Sequence, residues 1–599
     1  MTFLHPVCHS REGGNPEDLR SKVLPLLIEK LQRNPIKRGE FELKDNTLTI
    51  LIGGEAGQGL VTLGQLLAKS LVRSGYSIIV TQSYQSRIRG GHNTFTLTVS
   101  VDEIHAPREK VDILIAFDRD TVSLHREHLS SQGLIITDEA LDVQGDLLFR
   151  VPFRELAKER FSNIVALGVV GSLLGLEEGL MARTVDDFFG KKDRTSGEEN
   201  RRALSTAIGW SASYTKSDHK LPPLTDPPHL LMMNGNEAIA LGAVSAGLRF
   251  YSFYPMSPST SIGLTLAGWA KQMGMIIEQA EDEIAAINIA IGASFAGAPS
   301  MVATSGGGFA LMVEGVSLAA MTETPVVVVV AQRPGPATGL PTRTEQSDLE
   351  FVLHAGHGEF PRAIFSPGTV EECFHLTRHA FGLAERYQGP IFLLTDQFLA
   401  DSYRAVMPFD IENLTPVTIV SESMESSPYS RYAFTENGIS PRLLPGMSEH
   451  CVVVDSDEHT EDGHITEDLS IRRQMVDKRL RKEAEIRSKV IPPDVEWEES
   501  PDILLVSWGS SKGAVLEAAS RLRSDGEKVS TIHFPQVWPL VSEQFLGYLK
   551  EARLVACIES NATGQLARLI RRETGFQIDK RVLRYDGLPM TPELILREL

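Results

Sequence analysis

Tyr254-Pro255-Met256-Ser257-Pro258-Ser259-Thr260 is followed along the chain by Glu281-Asp282-Glu283 and then by Gly306-Gly307-Gly308. Two prolines bracket the first stretch. Each fixes its own φ and keeps the residue before it extended, so the stretch reads as a turn delivering the chain into a helix. The acidic triplet opens Ile284-Ala285-Ala286-Ile287-Asn288-Ile289-Ala290, a helix that is apolar nearly all round and hence buried. Carboxylates at a helix start are favoured by the macrodipole, which accounts for Glu281 and Asp282. The glycine run comes shortly after a strand. This alternation reads as an α/β unit built on a parallel sheet.

Working outward, Pro325-Val326-Val327-Val328-Val329-Val330 and Ile391-Phe392-Leu393-Leu394-Thr395 are apolar throughout, as strands covered on both faces are. They place this α/β unit at 233–412. Upstream, the strand Thr47-Leu48-Thr49-Ile50-Leu51-Ile52 runs into Gly53-Gly54-Glu55-Ala56-Gly57-Gln58-Gly59, and Leu60, Leu63, Leu67 and Leu71 recur at helical spacing. Strand, glycine loop and helix open a Rossmann-like unit, expected over 45–215. The glycines are not in dinucleotide order, since the close pair comes last. The loop is either a phosphate cradle at a helix N-terminus or tight-turn packing. Residues 1–44 read as a peripheral N-terminal extension, and whether residues 1–20 belong to the fold stays open. Four prolines within 222–228 make 216–232 an extended linker. A connecting segment, 413–500, ends in a charged helix over about 472–489. A third α/β unit, 501–599, begins at Ile503-Leu504-Leu505-Val506.

The chain has 599 residues, 42% hydrophobic and 23% charged, with a net charge of −19. That is an ordinary globular composition, and its sign excludes a general nucleic-acid binder. No apolar run reaches the roughly 18–20 residues of a membrane span, and the N-terminus has no apolar signal core. A cytoplasmic protein is expected. The four cysteines, Cys8, Cys373, Cys451 and Cys557, form no CxxC pair, which argues against a zinc site or an all-cysteine cluster on this chain.

The segment from Phe253 to Gly307 resembles the pyrimidine-binding domain of the thiamine-diphosphate 2-oxoacid:ferredoxin oxidoreductases, where a Tyr-Pro-Ile-Thr-Pro turn and a later glutamate flank the active site. Gly53-Gly54-Glu55-Ala56-Gly57-Gln58-Gly59 and Gln85-Ser86-Arg87-Ile88-Arg89-Gly90-Gly91-His92-Asn93 are similar to the family's γ domain, here fused ahead of the α part. Residues 503–599, with Asn561-Ala562-Thr563-Gly564-Gln565-Leu566, resemble a transketolase C-terminal-like domain, to which packing and oligomerisation are assigned but no chemistry.

The resemblance implies bound thiamine diphosphate, with Glu283 as the catalytic and cofactor-binding carboxylate on the pyrimidine N1′. In that chemistry the cofactor's own 4′-amino group takes the C2 proton once the carboxylate has driven the ring to its imino tautomer. Ser257 stands where the family has threonine, and Met256 where isoleucine is common. Serine keeps the hydroxyl and loses the stiffening methyl, so Ser257 is implied as a catalytic and cofactor contact. Pro255 and Gly307 are implied beside the cofactor. Arg343 first, and Arg333 second, match substrate-contacting arginines, whose planar fork suits a 2-oxoacid carboxylate. Tyr254 and Thr344 join them as substrate contacts. Gly57, Gly59, Arg87 and Arg89 are implied as contacts to coenzyme A.

No Gly-Asp-Gly occurs; Gln144-Gly145-Asp146-Leu147 and Tyr585-Asp586-Gly587 each lack a flanking glycine. The resemblance therefore implies a β subunit that carries the pyrophosphate motif, Mg2+ and 4Fe-4S clusters, with ferredoxin as acceptor, an (αβ)2 assembly and no metal on this chain. Asp457-Glu458-His459-Thr460-Glu461-Asp462-Gly463-His464 looks like a metal site, but reads better as a solvated, subunit-contacting loop. The implied reaction is oxidative decarboxylation of a 2-oxoacid, best matched by 2-oxoglutarate, with coenzyme A to acyl-coenzyme A, CO2 and reduced ferredoxin (EC 1.2.7 type). Pyruvate, branched-chain or aryl 2-oxoacids stand as alternative substrates. An NAD-dependent Rossmann oxidoreductase and a non-catalytic assembly subunit stand as alternatives of another class.

Overall fold

The computed structural model describes residues 46–84, 91–144, 148–189, 194–214, 220–417 and 429–599. In chain order the first unit holds β1 (Thr47–Glu55), β2 (Ser77–Ser83), β3 (His92–Ser100), β4 (Val111–Ala116), β5 (Leu129–Asp138) and β6 (Leu148–Val151). The second holds β7 (Leu231–Met233), β8 (Phe250–Phe253), β9 (Ile276–Gln279), β10 (Ser300–Thr304), β11 (Val326–Gln332), β12 (Ile364–Phe365), β13 (Pro390–Asp396) and β14 (Arg404–Val406). Last come β15 (Asp494–Glu496), β16 (Ile503–Trp508), β17 (Val529–Phe534), β18 (Gln536–Trp538), β19 (Leu554–Glu559) and β20 (Lys580–Leu583).

The first sheet runs β6-β5-β4-β1-β3-β2-β14-β7. The strands from β6 to β1 are parallel, but β3 is antiparallel to both β1 and β2. Ser83 and His92 are too close in sequence for the crossover that a parallel link needs. Gly59 enters the Leu60–Arg73 helix at φ 79, a left-handed conformation that glycine adopts without a Cβ penalty. Leu63, Leu66, Leu67 and Leu71 of that helix are all fully buried.

The central sheet runs β18-β12-β13-β11-β10-β8-β9, parallel apart from β18. Every residue of β11 is buried, as expected for a valine run flanked on both sides and covered on both faces. The third sheet runs β15-β17-β16-β19-β20.

These sheets cross the expected boundaries. β7 and β14, from the central unit, extend the first sheet, with Arg404 in register with Ile79. β18, from the third unit, closes the central sheet against β12. The proline-rich stretch is extended but laid down: Tyr76 donates its hydroxyl to Pro222 O at 2.9 Å, and Leu221 is buried. The Leu469–Ser488 helix is strongly charged, yet it buries Met475, Lys478, Arg479, Lys482 and Ile486. Its lysines meet a buried partner: Glu323 accepts from Lys478 Nζ at 2.6 Å and also from Lys482. The central sheet is thus closed at one edge by its neighbour, and its strand ends are left free to build a site.

Candidate active site

In open α/β sheets, ligands bind beyond the carboxyl ends of the strands. Five strand ends meet there: Tyr254 follows β8, Glu283 lies just past β9, Ser305 follows β10, Arg333 follows β11, and Asp396 ends β13.

Asp282 caps the Glu283–Phe295 helix by accepting from Ala285 N at 2.7 Å, so it takes the capping role and Glu283 is left free of it. Glu283 is 2% exposed, and its Oε1 has no hydrogen-bond partner among the described residues. Burial pushes its carboxyl above the usual range; a hydrogen bond from its own backbone opposes this, and the Asp282 charge adds to it. Gly308 makes room for that oxygen, since a Cβ there would lie 2.5 Å from Glu283 Oε1 and would also strike Thr304 Oγ1. Thr304 Oγ1 in turn points at Met256 Sδ, 3.9 Å away.

The Tyr254–Ser257 turn is open to solvent on one side: Tyr254, Pro255 and Ser257 are exposed. Ser259 Oγ donates to Met256 O at 2.8 Å, and Arg333 Nη1 donates to Ser257 O at 2.7 Å. Arg333 therefore holds the turn by its backbone and leaves the Ser257 hydroxyl free. From Arg333 the chain closes a loop in which Leu340 N donates to Pro334 O at 3.1 Å. This loop lies over the glycine run, where a Cβ on Gly307 would sit 3.6 Å from Ala337 O. Arg343 N then donates to Leu340 O. The guanidinium of Arg343 has no hydrogen bond or ion pair among the described residues, so a carboxylate is its natural complement.

Thr344 departs from the expected role. Its side chain is 3% exposed; its Oγ1 donates to Asp396 Oδ1 at 3.3 Å and accepts from Phe398 N at 3.2 Å. With both capacities used internally, Thr344 anchors the loop that carries Arg343 and does not offer its hydroxyl to a substrate.

Sequence reasoning missed Asp348. Its amide donates to Gln332 Oε1 at 2.9 Å, while its Oδ2 is buried without a partner. A Cβ on Gly306 would lie 2.5 Å from that Oδ2. Asp348 is pushed up to about 6 by burial, with the Glu345 charge adding and Arg333 opposing. Ser305 Oγ is a third buried, unpartnered atom at this helix start. The signal available was a polar run, Glu345-Gln346-Ser347-Asp348, directly after Thr344.

In the first unit, Gly57 (φ 102) and Gly59 (φ 79) are both left-handed, and Gly59 packs on Asn163. Turn geometry therefore requires both glycines whatever the loop binds. Arg87 and Arg89 lie outside the described residues. His459 is fully buried and stacks on Tyr432 with ring centroids 3.9 Å apart, and Glu458 pairs with Arg472 and Arg479. This corrects the solvated reading of that loop at both residues: Glu458 pins it to the Leu469–Ser488 helix, and His459 packs it on Tyr432. Among the described residues no cluster of three or more His, Cys, Asp or Glu is placed to hold a metal ion, and no helix is long and apolar enough to cross a membrane.

Residues 241–478 match the family described as pyruvate flavodoxin/ferredoxin oxidoreductase, thiamine diP-binding, and residues 49–210 match pyruvate ferredoxin/flavodoxin oxidoreductase. The α subunit of a 2-oxoacid:ferredoxin oxidoreductase from Sulfolobus sp is 32% identical, over 90% of this chain and 95% of its own length. The 2-oxoglutarate synthase subunit KorA of Methanothermobacter marburgensis is 32% identical, but 97% of its length covers only 61% of this chain. Among solved structures, a 2-oxoglutarate:ferredoxin oxidoreductase from Magnetococcus marinus with 2-oxoglutarate, coenzyme A and succinyl-CoA bound superposes with a TM-score of 0.87 at 31% identity, over 92% of this chain and 99% of that one. With a buried free carboxyl beside a glycine-lined helix start, and relatives matched nearly end to end, the chain belongs to the α subunits of the 2-oxoacid:ferredoxin oxidoreductases.

Proposed function

We propose that this chain provides the pyrimidine and substrate-carboxylate half of a thiamine-diphosphate site that oxidatively decarboxylates 2-oxoglutarate with coenzyme A. A β subunit holding the pyrophosphate, Mg2+ and 4Fe-4S clusters completes the site and passes electrons to ferredoxin. The observation that carries this reading is Glu283 Oε1, buried and unpartnered in a space that Gly308 keeps clear. It fits the pyrimidine end of thiamine diphosphate, because a raised carboxyl in a dry pocket can share a proton with a ring nitrogen. When bound, the cofactor supplies a nucleophilic carbon and an electron sink; this chain supplies placement and charge. Glu283 holds a proton at Oε1. Arg333 fixes the Tyr254–Ser257 turn, so that Pro255 and Gly307 wall the ring and the Ser257 hydroxyl faces the reacting carbon. Arg343 receives the substrate carboxylate, with Tyr254 beside it, and prepositioned groups of this kind lower the barrier by orientation and electrostatics.

2-Oxoglutarate is favoured by the KorA relatives and by what the Magnetococcus protein holds. For coenzyme A, Gly57 and Gly59 with Arg87 and Arg89 are the proposed contacts. In support, the Tyr84 backbone carbonyl accepts from Thr342 Oγ1 at 2.7 Å, which brings the end of β2 beside the loop that carries Arg343. A partner-covered face is supported by Ile284 and Ile289, exposed by 48% and 39% on the Glu283 helix. Buried free thiols at Cys373 and Cys557 favour a cytoplasmic setting.

The test is Glu283→Gln in the complex reconstituted with its β partner. Succinyl-coenzyme A formation should fall at least about a hundredfold, with the assembly and its clusters intact. Near-wild-type turnover would refute the assignment.

A further inference from the structure

The C-terminal unit is stitched to the loop that carries Arg343 more densely than packing alone requires. Thr344 N donates to Gly587 O at 3.2 Å, Gln346 N to Ser560 O at 2.6 Å, and Ser560 N to Gln346 Oε1 at 2.9 Å. Gln346 Nε2 reaches Trp508 O at 3.0 Å, Glu350 N reaches Gln565 Oε1 at 2.9 Å, and Gln565 Nε2 reaches Ser347 O at 2.7 Å. One residue of this unit leaves room for the arginine stem itself. Gly587 is buried at φ 82, and a Cβ there would lie 3.0 Å from Arg343 Cβ and 3.3 Å from its Cγ.

The loop behind Gly587 is preorganised. Asp586 accepts from Arg584 Nε at 2.9 Å and from Leu588 N at 3.0 Å, and Arg584 Nη1 donates to Pro589 O at 2.7 Å. Arg584 N donates to Glu559 O, which ties the loop to the end of β19. The head of Arg343 has no partner among the described residues, so among them only its stem is directed before a substrate arrives. A long side chain whose stem is seated loses less rotamer freedom on binding its anion.

We propose that Gly587 is a positioning residue for the substrate: the lack of a side chain there leaves the space in which the Arg343 stem is seated and so sets the direction of the guanidinium, which makes the C-terminal unit part of the substrate-binding machinery. The inference rests on the reading of Arg343 as the carboxylate-binding residue.

The reconstituted complex tests it with Gly587→Ala, Arg343→Gln and the double variant. Alanine at 587 is strained by the left-handed φ and meets the arginine stem. The KM for 2-oxoglutarate should rise about tenfold, while the KM for coenzyme A and the affinity for thiamine diphosphate stay within about twofold. In the Arg343→Gln background, Gly587→Ala should raise the KM no further, because coupled residues are non-additive. If Arg343→Gln leaves the KM unchanged, the reading of Arg343 fails. If Arg343→Gln raises the KM but Gly587→Ala does not, or if the two effects add, the role of Gly587 fails alone. Should Gly587→Ala not fold, Asp586→Ala loosens the same loop from an exposed position and replaces it. A KM rise of about threefold, absent in the Arg343→Gln background, then supports the role, and an unchanged KM overturns it.

Discussion

Asp348→Asn should stabilise this protein at neutral pH and only there. The interval between the ordinary 3.8 and about 6 corresponds to about 3 kcal/mol, at about 1.4 kcal/mol per pH unit. The folded state binds the Asp348 proton more readily than the unfolded chain does. Between those two values the unfolded state holds fewer protons, so stability falls as pH rises. The destabilisation is fully present above about pH 6 and is relieved as pH drops towards 3.8. Asparagine removes the charge with little change of shape. No helix cap is lost, because Asp348 makes no side-chain cap bond to the Leu349–His354 helix. The Arg333 charge is already contained in that value, but the new amide must be accommodated in the same buried place, which lowers the net gain to about 1–3 kcal/mol. The assay is thermal unfolding of wild type and variant in parallel from pH 4.5 to 8. The midpoint of the variant should exceed that of wild type by several degrees above pH 6.5, and the two should converge towards pH 4.5. A difference independent of pH, or a variant less stable at pH 7.5, would refute the reasoning.

Gly308→Ala drives a methyl into Glu283 Oε1 and Thr304 Oγ1. Overpacking of this kind costs about 1–3 kcal/mol, and calorimetric titration of the complex should show thiamine diphosphate affinity falling at least about tenfold. Glu323→Gln leaves Lys478 and Lys482 buried without their carboxylate, a loss of about 3–5 kcal/mol; hydrogen exchange should accelerate first in the Leu469–Ser488 helix. Arg333→Lys removes the guanidinium bond to Ser257 O while keeping the charge. Steady-state kinetics should show kcat/KM down about tenfold, mostly in kcat, since the turn and not the carboxylate contact is disturbed.

What the sequence made legible depended on how far each residue's partner lies along the chain. Glu283 was readable because its cap, its buried helix and the following glycines are local. Arg333 was readable because it directly follows a strand whose valines allow no other assignment. Thr344 was misread because its hydroxyl is claimed by Asp396 and Phe398, beyond the next two strands. Asp348 left no periodic trace, and its raised pKa comes from burial with the Glu345 charge adding, against the opposing Arg333 charge. The unit boundaries blurred for a different reason. β7, β14 and β18 are three residues each, too short for a period of two to register, yet they join the sheets across every expected division.

Three buried oxygens, Glu283 Oε1, Asp348 Oδ2 and Ser305 Oγ, lie without partners among the described residues around one helix start. Each unsatisfied group costs about 1–3 kcal/mol, and a fold selected for stability alone would have filled these places with apolar side chains. Here the glycines at 306 and 308 keep the space open, and the cost is carried by the isolated chain. An aminopyrimidine edge offers both donors and acceptors to such groups, so binding there recovers desolvation already lost during folding. The exposed isoleucines at 284 and 289 lie on the same helix as Glu283. On the proposed reading, a partner that covered them would bear on the same helix that holds the free carboxyl.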